Sequence, residues 1–127
     1  MAVEKGPKLD WGVLAGADLS AKQFTFVKFD GATDDEVISV SAVTDFALGV
    51  LNNAPTQGQE AEVVLTGVVK VKLGGTVARD DGIGAKADGT GIKAASTNRI
   101  YGRALEAGTS GQVISVALNS VTPTAAA

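Results

Sequence analysis

No cysteine and no histidine occurs among the 127 residues of this chain. Without cysteine, the protein has neither a disulfide nor a thiolate metal site. Without histidine, it has no copy of the side chain that most often moves protons near neutral pH and most often ligates metals. Aromatic residues make up only 5% of the chain, so a glycan-binding surface built from aromatic rings has few side chains available. We therefore expect no catalytic residue, no cofactor and no metal ion.

Charge and hydropathy exclude two further classes of partner. The net charge is −3, the sequence pI is about 4.8, and the lysines and arginines are scattered. A nucleic-acid-binding protein needs a basic face that displaces counterions from phosphates. No apolar run approaches the roughly 20 residues that cross a bilayer, and the N-terminal residues MAVEKGPKLDW contain no apolar core of a secretory signal. We expect a protein made in the cytoplasm that binds neither nucleic acid nor membrane.

Length and glycine content point to one all-β domain. A chain of 127 residues has the length of a single domain, and 45% of its residues are hydrophobic. The 16 glycines and the shortness of helix-favouring runs suit many short strands joined by tight turns. We predict a small β-sandwich or partly open β-barrel over residues 13–120, an extended N-terminal arm over 1–12 and a flexible tail over 121–127.

An internal repeat suggests that this domain has two related halves. Residues 48–67 (LGVLNNAPTQGQEAEVVLTG) and 101–120 (YGRALEAGTSGQVISVALNS) align without a gap and are identical at seven positions. Each segment reads as an apolar strand, a glycine, a polar turn ending in Gly-Gln, and a second alternating strand. The repeated residues are turn formers and core formers, which indicates a scaffold.

Alternation of apolar and polar residues predicts the strands. The predicted strands are Val13–Leu19, Gln23–Phe29, Val37–Val43, Asp45–Leu51, Glu62–Leu73, Ile100–Leu105 and Val113–Leu118. Gly67 interrupts the strongest of them, so Glu62–Leu73 is either one bent strand crossing between two sheets or two strands meeting at a corner. Three phenylalanines (Phe24, Phe26 and Phe29) fall in or beside one strand, and we expect them to fill much of the core.

Residues 79–98 are rich in glycine and small side chains, which predicts a long exposed loop. Five of its charged members, Arg79, Asp80, Asp81, Lys86 and Asp88, are the ones that we expect to be exposed. The three aspartates are the best candidates for a calcium site, but their spacing does not match an EF-hand loop, and hairpin turns explain them as well. The acidic group Asp34, Asp35, Glu36 reads as a solvated turn, and Lys70 as a solvent-facing strand residue and not a cofactor-bearing lysine.

The order of these elements resembles the capsid decoration (cement) proteins of tailed-phage heads. The resemblance covers roughly residues 13–120. It rests on Gly49-Val50, Gly58, Gly67-Val68, Gly102 and the closing Val116-Ala117-Leu118. In that family a Gly-Val strand, a turn with a late glycine, a strand ending in Gly-Val and a terminal Val-x-Leu strand follow one another in this order.

The resemblance implies a non-enzymatic protein on the outer surface of the virion, where it stabilises the mature capsid by bridging capsomers. It implies the major capsid protein as partner and a homotrimer as the assembly. We expect the N-terminal arm to contact the capsid or a neighbouring subunit through Val3, Lys5, Pro7, Leu9 and Trp11, and the 79–98 loop to be exposed or to bridge subunits. The alternative is a ligand- or glycan-binding β-module or a fibre-anchoring head protein.

Overall fold

The computed structural model describes residues 8–9, 13–31, 34–95 and 99–118, and within these ranges it contains eleven strands and no helix. The strands are β1 (Lys8–Leu9), β2 (Leu14–Ala15), β3 (Phe26–Phe29), β4 (Glu36–Ser39), β5 (Gly49–Leu51), β6 (Val63–Val64), β7 (Gly67–Lys72), β8 (Gly82–Ala85), β9 (Gly91–Lys93), β10 (Gly102–Ala104) and β11 (Val113–Leu118). The prediction of a small all-β fold is confirmed. Several strands are shorter than their sequence patterns predicted.

The strands form two sheets, and each sheet comes from one half of the chain. The first sheet has the order β1-β6-β5-β3-β4-β2, and the second has the order β7-β11-β10-β8-β9. Each half contains one parallel pairing. In the first half β2 pairs with β4, and in the second half Leu73, which follows β7, forms a bridge to Gly91 of β9. The bridge from Leu73 to Gly91 joins the two edges of the second sheet, so that sheet is curled.

The sequence repeat corresponds to equivalent hairpins in the two sheets. In the first half Val50 pairs with Val64, and Leu51 pairs with Val63. In the second half the pairs are Arg103 with Ala117 and Ala104 with Val116. These pairs have the same offset as the two aligned sequence segments, so both hairpins share one register.

The turns between the paired strands also repeat. Gly58 and Gly111 have φ values of 85° and 89°, a left-handed conformation that glycine adopts without steric cost. In each turn a glutamine side chain accepts a hydrogen bond from the N–H of a threonine three residues earlier. The bonds run from Thr56 N to Gln59 Oε1 at 2.8 Å and from Thr109 N to Gln112 Oε1 at 2.7 Å. The repeated Gly-Gln pair thus stabilises the same turn in both halves.

The segment predicted as Glu62–Leu73 breaks at Gly67. Its first part is β6 in the first sheet, and its second part is β7 in the second sheet. Gly67 has a φ of 99°, which redirects the chain from one sheet to the other. Of the two interpretations that the sequence left open, the structure selects two strands meeting at a corner.

Buried apolar side chains form two clusters. The smaller lies within the first half and contains Val13, Ala15, Leu19, Val27, Val37, Leu51, Ala61 and Val63. The larger fills the second half and the junction between the halves; its junction members include Phe26, Val50, Val64 and Tyr101. The prediction for the phenylalanines is right for Phe26, which is fully buried, and wrong for Phe29, which is 47% exposed at the end of β3. Phe24 is half-buried.

Two predicted irregular segments contain strands. The prediction of a long loop over 79–98 is wrong where β8 and β9 pair as an antiparallel hairpin, whose turn contains Asp88 and Gly89. Its small and glycine residues suit the close packing of this hairpin, and they hid the strand pattern. In the predicted arm, Lys8 and Leu9 pair with Val64 and Val63 of β6. The predicted tail, 121–127, lies outside the described residues.

Candidate functional site

A short segment of the first half is inserted into the second half. The N–H of Lys72 donates to the carbonyl of Phe24 at 2.8 Å, and the N–H of Phe26 donates to the carbonyl of Gly89 at 2.7 Å. The start of β3 therefore bridges β7 and the turn between β8 and β9. In the first half, Leu14 takes the place of Lys72 and Asp35 takes the place of Gly89. These two residues bond each other directly, because the N–H of Leu14 donates to the carbonyl of Asp35 at 2.8 Å. The two halves are thus similar in register but differ at this junction.

The tip of the β8–β9 hairpin packs against the first half. Gly89 has a φ of 89°, and a Cβ at this position would lie 3.0 Å from the carbonyl oxygen of Phe26 and 3.2 Å from Thr25 Cβ. Gly89 and Thr90 are buried, whereas Lys86 and Asp88 are exposed. The tip of the predicted 79–98 loop thus holds the two halves of one chain together, and the expectation that this loop is exposed or bridges subunits stays a prediction.

The aspartates of the predicted loop close turns and join an ion pair. Asp88 Oδ1 accepts hydrogen bonds from Thr90 N at 3.0 Å and Thr90 Oγ1 at 2.5 Å. Asp81 Oδ2 accepts one from Ala78 N at 2.8 Å, and Asp80 Oδ1 lies 3.2 Å from Arg103 Nη1. Within the described ranges, no group of three acidic side chains has the geometry of a metal site.

Four lysines lie along the junction, beside Phe24 or Asp88, and we call this group the lysine seam: Lys22, Lys70, Lys72 and Lys86. Lys70 Nζ lies 5.6 Å from the centroid of the Phe24 ring. The backbone N–H of Lys72 donates to the carbonyl of Phe24. Lys22 Nζ donates to Asp88 O at 3.2 Å. The pKa of Asp88 is lowered first by its bond with the Thr90 hydroxyl and also by the charges of Lys86 and Lys22. The seam collects four of the chain's eleven cationic side chains.

Carboxylates gather at the other end of β3. Asp34 and Asp35 are exposed, and Glu36 is half-buried and pairs with Leu14 in the parallel ladder. Two apolar side chains are exposed beside them: Leu14 at 37% and Phe29 at 47%. We call these five residues the acidic end of the first half. The sequence predicted the solvated acidic turn, but not the exposure of Phe29.

Tyr101 links the second half to the 41–47 segment of the first. Its hydroxyl donates to Asp45 O at 2.9 Å and accepts from Ala47 N at 3.1 Å. Its ring centroid is 5.0 Å from that of Phe26. Burial raises the pKa of the Tyr101 hydroxyl. Because Tyr101 is buried, it cannot serve as the surface ring on which a glycan would stack.

We expect Tyr101→Phe to destabilise the protein by about 1–2 kcal/mol, because the buried N–H of Ala47 loses its hydrogen-bond partner. Urea unfolding followed by circular dichroism measures this loss. Tyr101→Leu should cost more, because it also removes the ring contact with Phe26. An unchanged midpoint for the phenylalanine variant would contradict a structural role for the hydroxyl.

Asp45 holds the 41–47 segment in place. Its Oδ2 accepts hydrogen bonds from Lys28 Nζ at 2.9 Å, Ser41 N at 2.9 Å, Ser41 Oγ at 3.1 Å and Ala42 N at 3.0 Å. The bond with Lys28, followed by the Ser41 backbone, holds the pKa of Asp45 well below its ordinary 3.8. The segment that carries the Tyr101 contacts is therefore fixed by one carboxylate.

This lowered pKa predicts an acid-sensitive contribution to stability. A carboxyl whose pKa is lower in the folded than in the unfolded state stabilises the fold above the unfolded pKa, and this stabilisation is lost as the pH falls toward the folded pKa. The free energy of unfolding should therefore decrease below about pH 4. Asp45→Asn should reduce the slope between pH 4 and pH 2 relative to the parent. Equal slopes would contradict this assignment.

Phe46 is a second aromatic side chain that the sequence did not mark as exposed. It is 53% exposed, and the guanidinium carbon of Arg99 lies 4.8 Å from its ring centroid. Val43 on the same segment is 40% exposed. Among the arm residues, Leu9 lies in β1, whereas Val3, Lys5, Pro7 and Trp11 lie outside the described residues, so their proposed contacts stay predictions. The structure describes no helix that is long and apolar enough to span a bilayer.

The fold is similar to a solved structure, the N base of the head fiber protein gp8.5 of bacteriophage phi29. The similarity covers 91% of this chain and 98% of that chain, with a TM-score of 0.66 and 14% sequence identity. No protein-family model matches this chain, and no curated protein matches it. At this identity the similarity shows the fold: nearly the whole of this chain is arranged as that fibre base is.

Proposed function

We propose that this chain is a non-enzymatic structural protein of a phage head that binds the outer surface of the mature capsid and stabilises it by bridging capsomers. The observation that carries the proposal is the near full-length similarity of its fold to a phage head fiber base. The resemblance of its sequence to capsid decoration proteins supports the same location on the virion. The partner would be the major capsid protein, and the chain would act as a homotrimer.

The physical properties of the chain suit such a role. The inserted Phe24–Phe26 segment and Tyr101 join the two sheets into one packed unit. Binding free energy that is available only on the assembled shell favours the shell over its free subunits. Because many copies would occupy one lattice, modest affinity per copy adds up to a large stabilisation. The carboxylates of Asp45, Asp81 and Asp88 accept hydrogen bonds within turns, and those of Asp45 and Asp80 join ion pairs, which is consistent with a scaffold.

A second candidate is a fibre-anchoring head protein, and the name of the structural neighbour favours it. That neighbour is the base of a head fiber. A fibre base must hold a further protein segment as well as the shell, whereas a capsomer-bridging protein needs only the shell. The two candidates therefore differ in what the bound protein does for the capsid.

Co-sedimentation with heads tests the proposal. The purified protein is mixed with expanded heads and with unexpanded procapsids of the source phage, both prepared without this protein. We expect saturable binding to expanded heads, with a copy number that matches positions between capsomers. Absence of binding to both particles would overturn the proposal.

A stability measurement then separates the two candidates. Heads with and without saturating protein are heated, and release of their DNA is followed with a fluorescent dye. Bridging predicts release at a higher temperature when the protein is bound. Binding with an unchanged release temperature would instead favour the fibre-anchoring role.

A further inference from the structure

We propose that copies of this chain bind one another head to tail, the lysine seam of one copy receiving the acidic end of the next. The seam consists of Lys70 and Lys72 beside Phe24 and of Lys22 and Lys86 beside Asp88. The acidic end consists of Asp34, Asp35 and Glu36 beside the exposed Leu14 and Phe29. The contact concerns this chain alone, so it does not rest on the proposed capsid binding.

The two surfaces lie at opposite ends of one strand. Phe24 precedes β3, and the acidic end follows it. At about 3.3 Å per residue, the four residues of β3 separate the two surfaces by roughly 13 Å. Both surfaces are therefore available on the same copy, as a head-to-tail contact requires.

Charge selects a second copy as the occupant. The chain is acidic overall, with 14 acidic and 11 basic side chains, and the seam concentrates four of the basic ones. The one carboxylate described within the seam, that of Asp88, is bound to Thr90. A surface of this kind attracts an acidic partner and repels a basic one. The acidic end of another copy supplies such a partner.

Apolar contacts are available at the centre of both surfaces. Phe24 is half-buried and is held with a φ of 68°, a conformation that a bulky side chain rarely adopts. At the other surface Phe29 and Leu14 expose apolar area without covering from their own sheet. Burying such side chains supplies affinity, while the surrounding charges fix the orientation of the two copies.

Two positions that are equivalent in the two halves of the repeat differ in charge. Leu14 of the first half corresponds in register to Lys72 of the second, because Ala15 and Leu73 bridge equivalent strands. Asp30 and Lys86 likewise begin the equivalent turns, each donating its N–H across the turn. The seam thus has a lysine at each of these two positions, where the first half has Leu14 and Asp30.

Charge reversal with compensation in the same chain tests this contact. The parent, Asp34→Lys/Asp35→Lys, Lys70→Glu/Lys72→Glu and the variant with all four substitutions are compared by analytical ultracentrifugation at low and high salt. Arg79→Glu/Lys93→Glu, which reverses two exposed cations outside the seam, is the matched control. Thermal unfolding verifies that each variant is folded.

We expect the parent to self-associate and to dissociate at high salt, because the attraction between exposed charges is screened. Each charge reversal should weaken association by at least about tenfold, and the variant that carries all four substitutions should associate again. The control should associate as the parent does. A parent that stays monomeric, an association that neither reversal weakens, or a fourfold variant that stays dissociated would each overturn the proposal. So would reversals that reduce only binding to heads, because the seam would then serve the capsid.

Discussion

Phe26→Ala is expected to cost about 3–5 kcal/mol of unfolding free energy. Phe26 is fully buried, belongs to the cluster at the junction of the two halves, and lies with its ring centroid 5.0 Å from that of Tyr101. Its removal leaves a cavity where the two sheets meet, and neither sheet can close it without breaking the bonds of the inserted segment. A domain of this size has a total stability of about 5–15 kcal/mol. Urea unfolding should show a large fall in the midpoint.

Phe46→Ala is the matched control, because it removes the same side chain from the surface. Phe46 is 53% exposed and touches Arg99. A surface cation–π contact contributes about 0.5–1 kcal/mol, so this variant should lose about 1 kcal/mol or less. Similar losses for the two variants would contradict the assigned burial.

Gly102→Ala is expected to destabilise the protein by about 2–4 kcal/mol. A Cβ on Gly102 would overlap the carbonyl oxygen of Ala117 and lie 3.1 Å from the Cα of Leu118. Both obstacles are backbone atoms of β11, so β10 and β11 would have to separate. Gly49→Ala should behave in the same way, because its Cβ would overlap the carbonyl oxygen of Val64 at the equivalent place in the first half.

Gly31→Ala is the control for these two substitutions. A Cβ at Gly31 would meet no atom within 4 Å, so we expect a change within about 0.5 kcal/mol. Chemical denaturation of all three variants measures the contrast. Equal stability of the Gly102 and Gly31 variants would show that β10 and β11 do not approach as closely as described.

The repeat was readable from the sequence because it is carried by local requirements. Gly58 and Gly111 are needed for left-handed turns, and Gly49 and Gly102 for close approach of paired strands. Such needs restrict the residue at one position whatever surrounds it. The all-β class and the interruption of Glu62–Leu73 at Gly67 follow from the same kind of local evidence, whereas the choice of a corner came from the structure.

The candidate surfaces were only partly readable. The acidic turn was predicted, because consecutive carboxylates are rarely buried. The lysine seam was not, because Lys22, Lys70, Lys72 and Lys86 are scattered along the chain and meet only where the two halves join. The hairpin within 79–98 was missed because its strands are rich in glycine and alanine, which carry little alternation of polarity.

The sequence by itself determined the all-β class, the division into two related halves and the positions of the repeated turns. Tertiary structure alone decided which of the equivalent-looking side chains are buried. Phe26 and Phe46 are the same residue type, but one lies between the sheets and the other on the surface. Burial depends on which surfaces of the two halves face each other, and that depends on contacts between residues far apart in the chain. These long-range contacts cannot be read from a local sequence pattern.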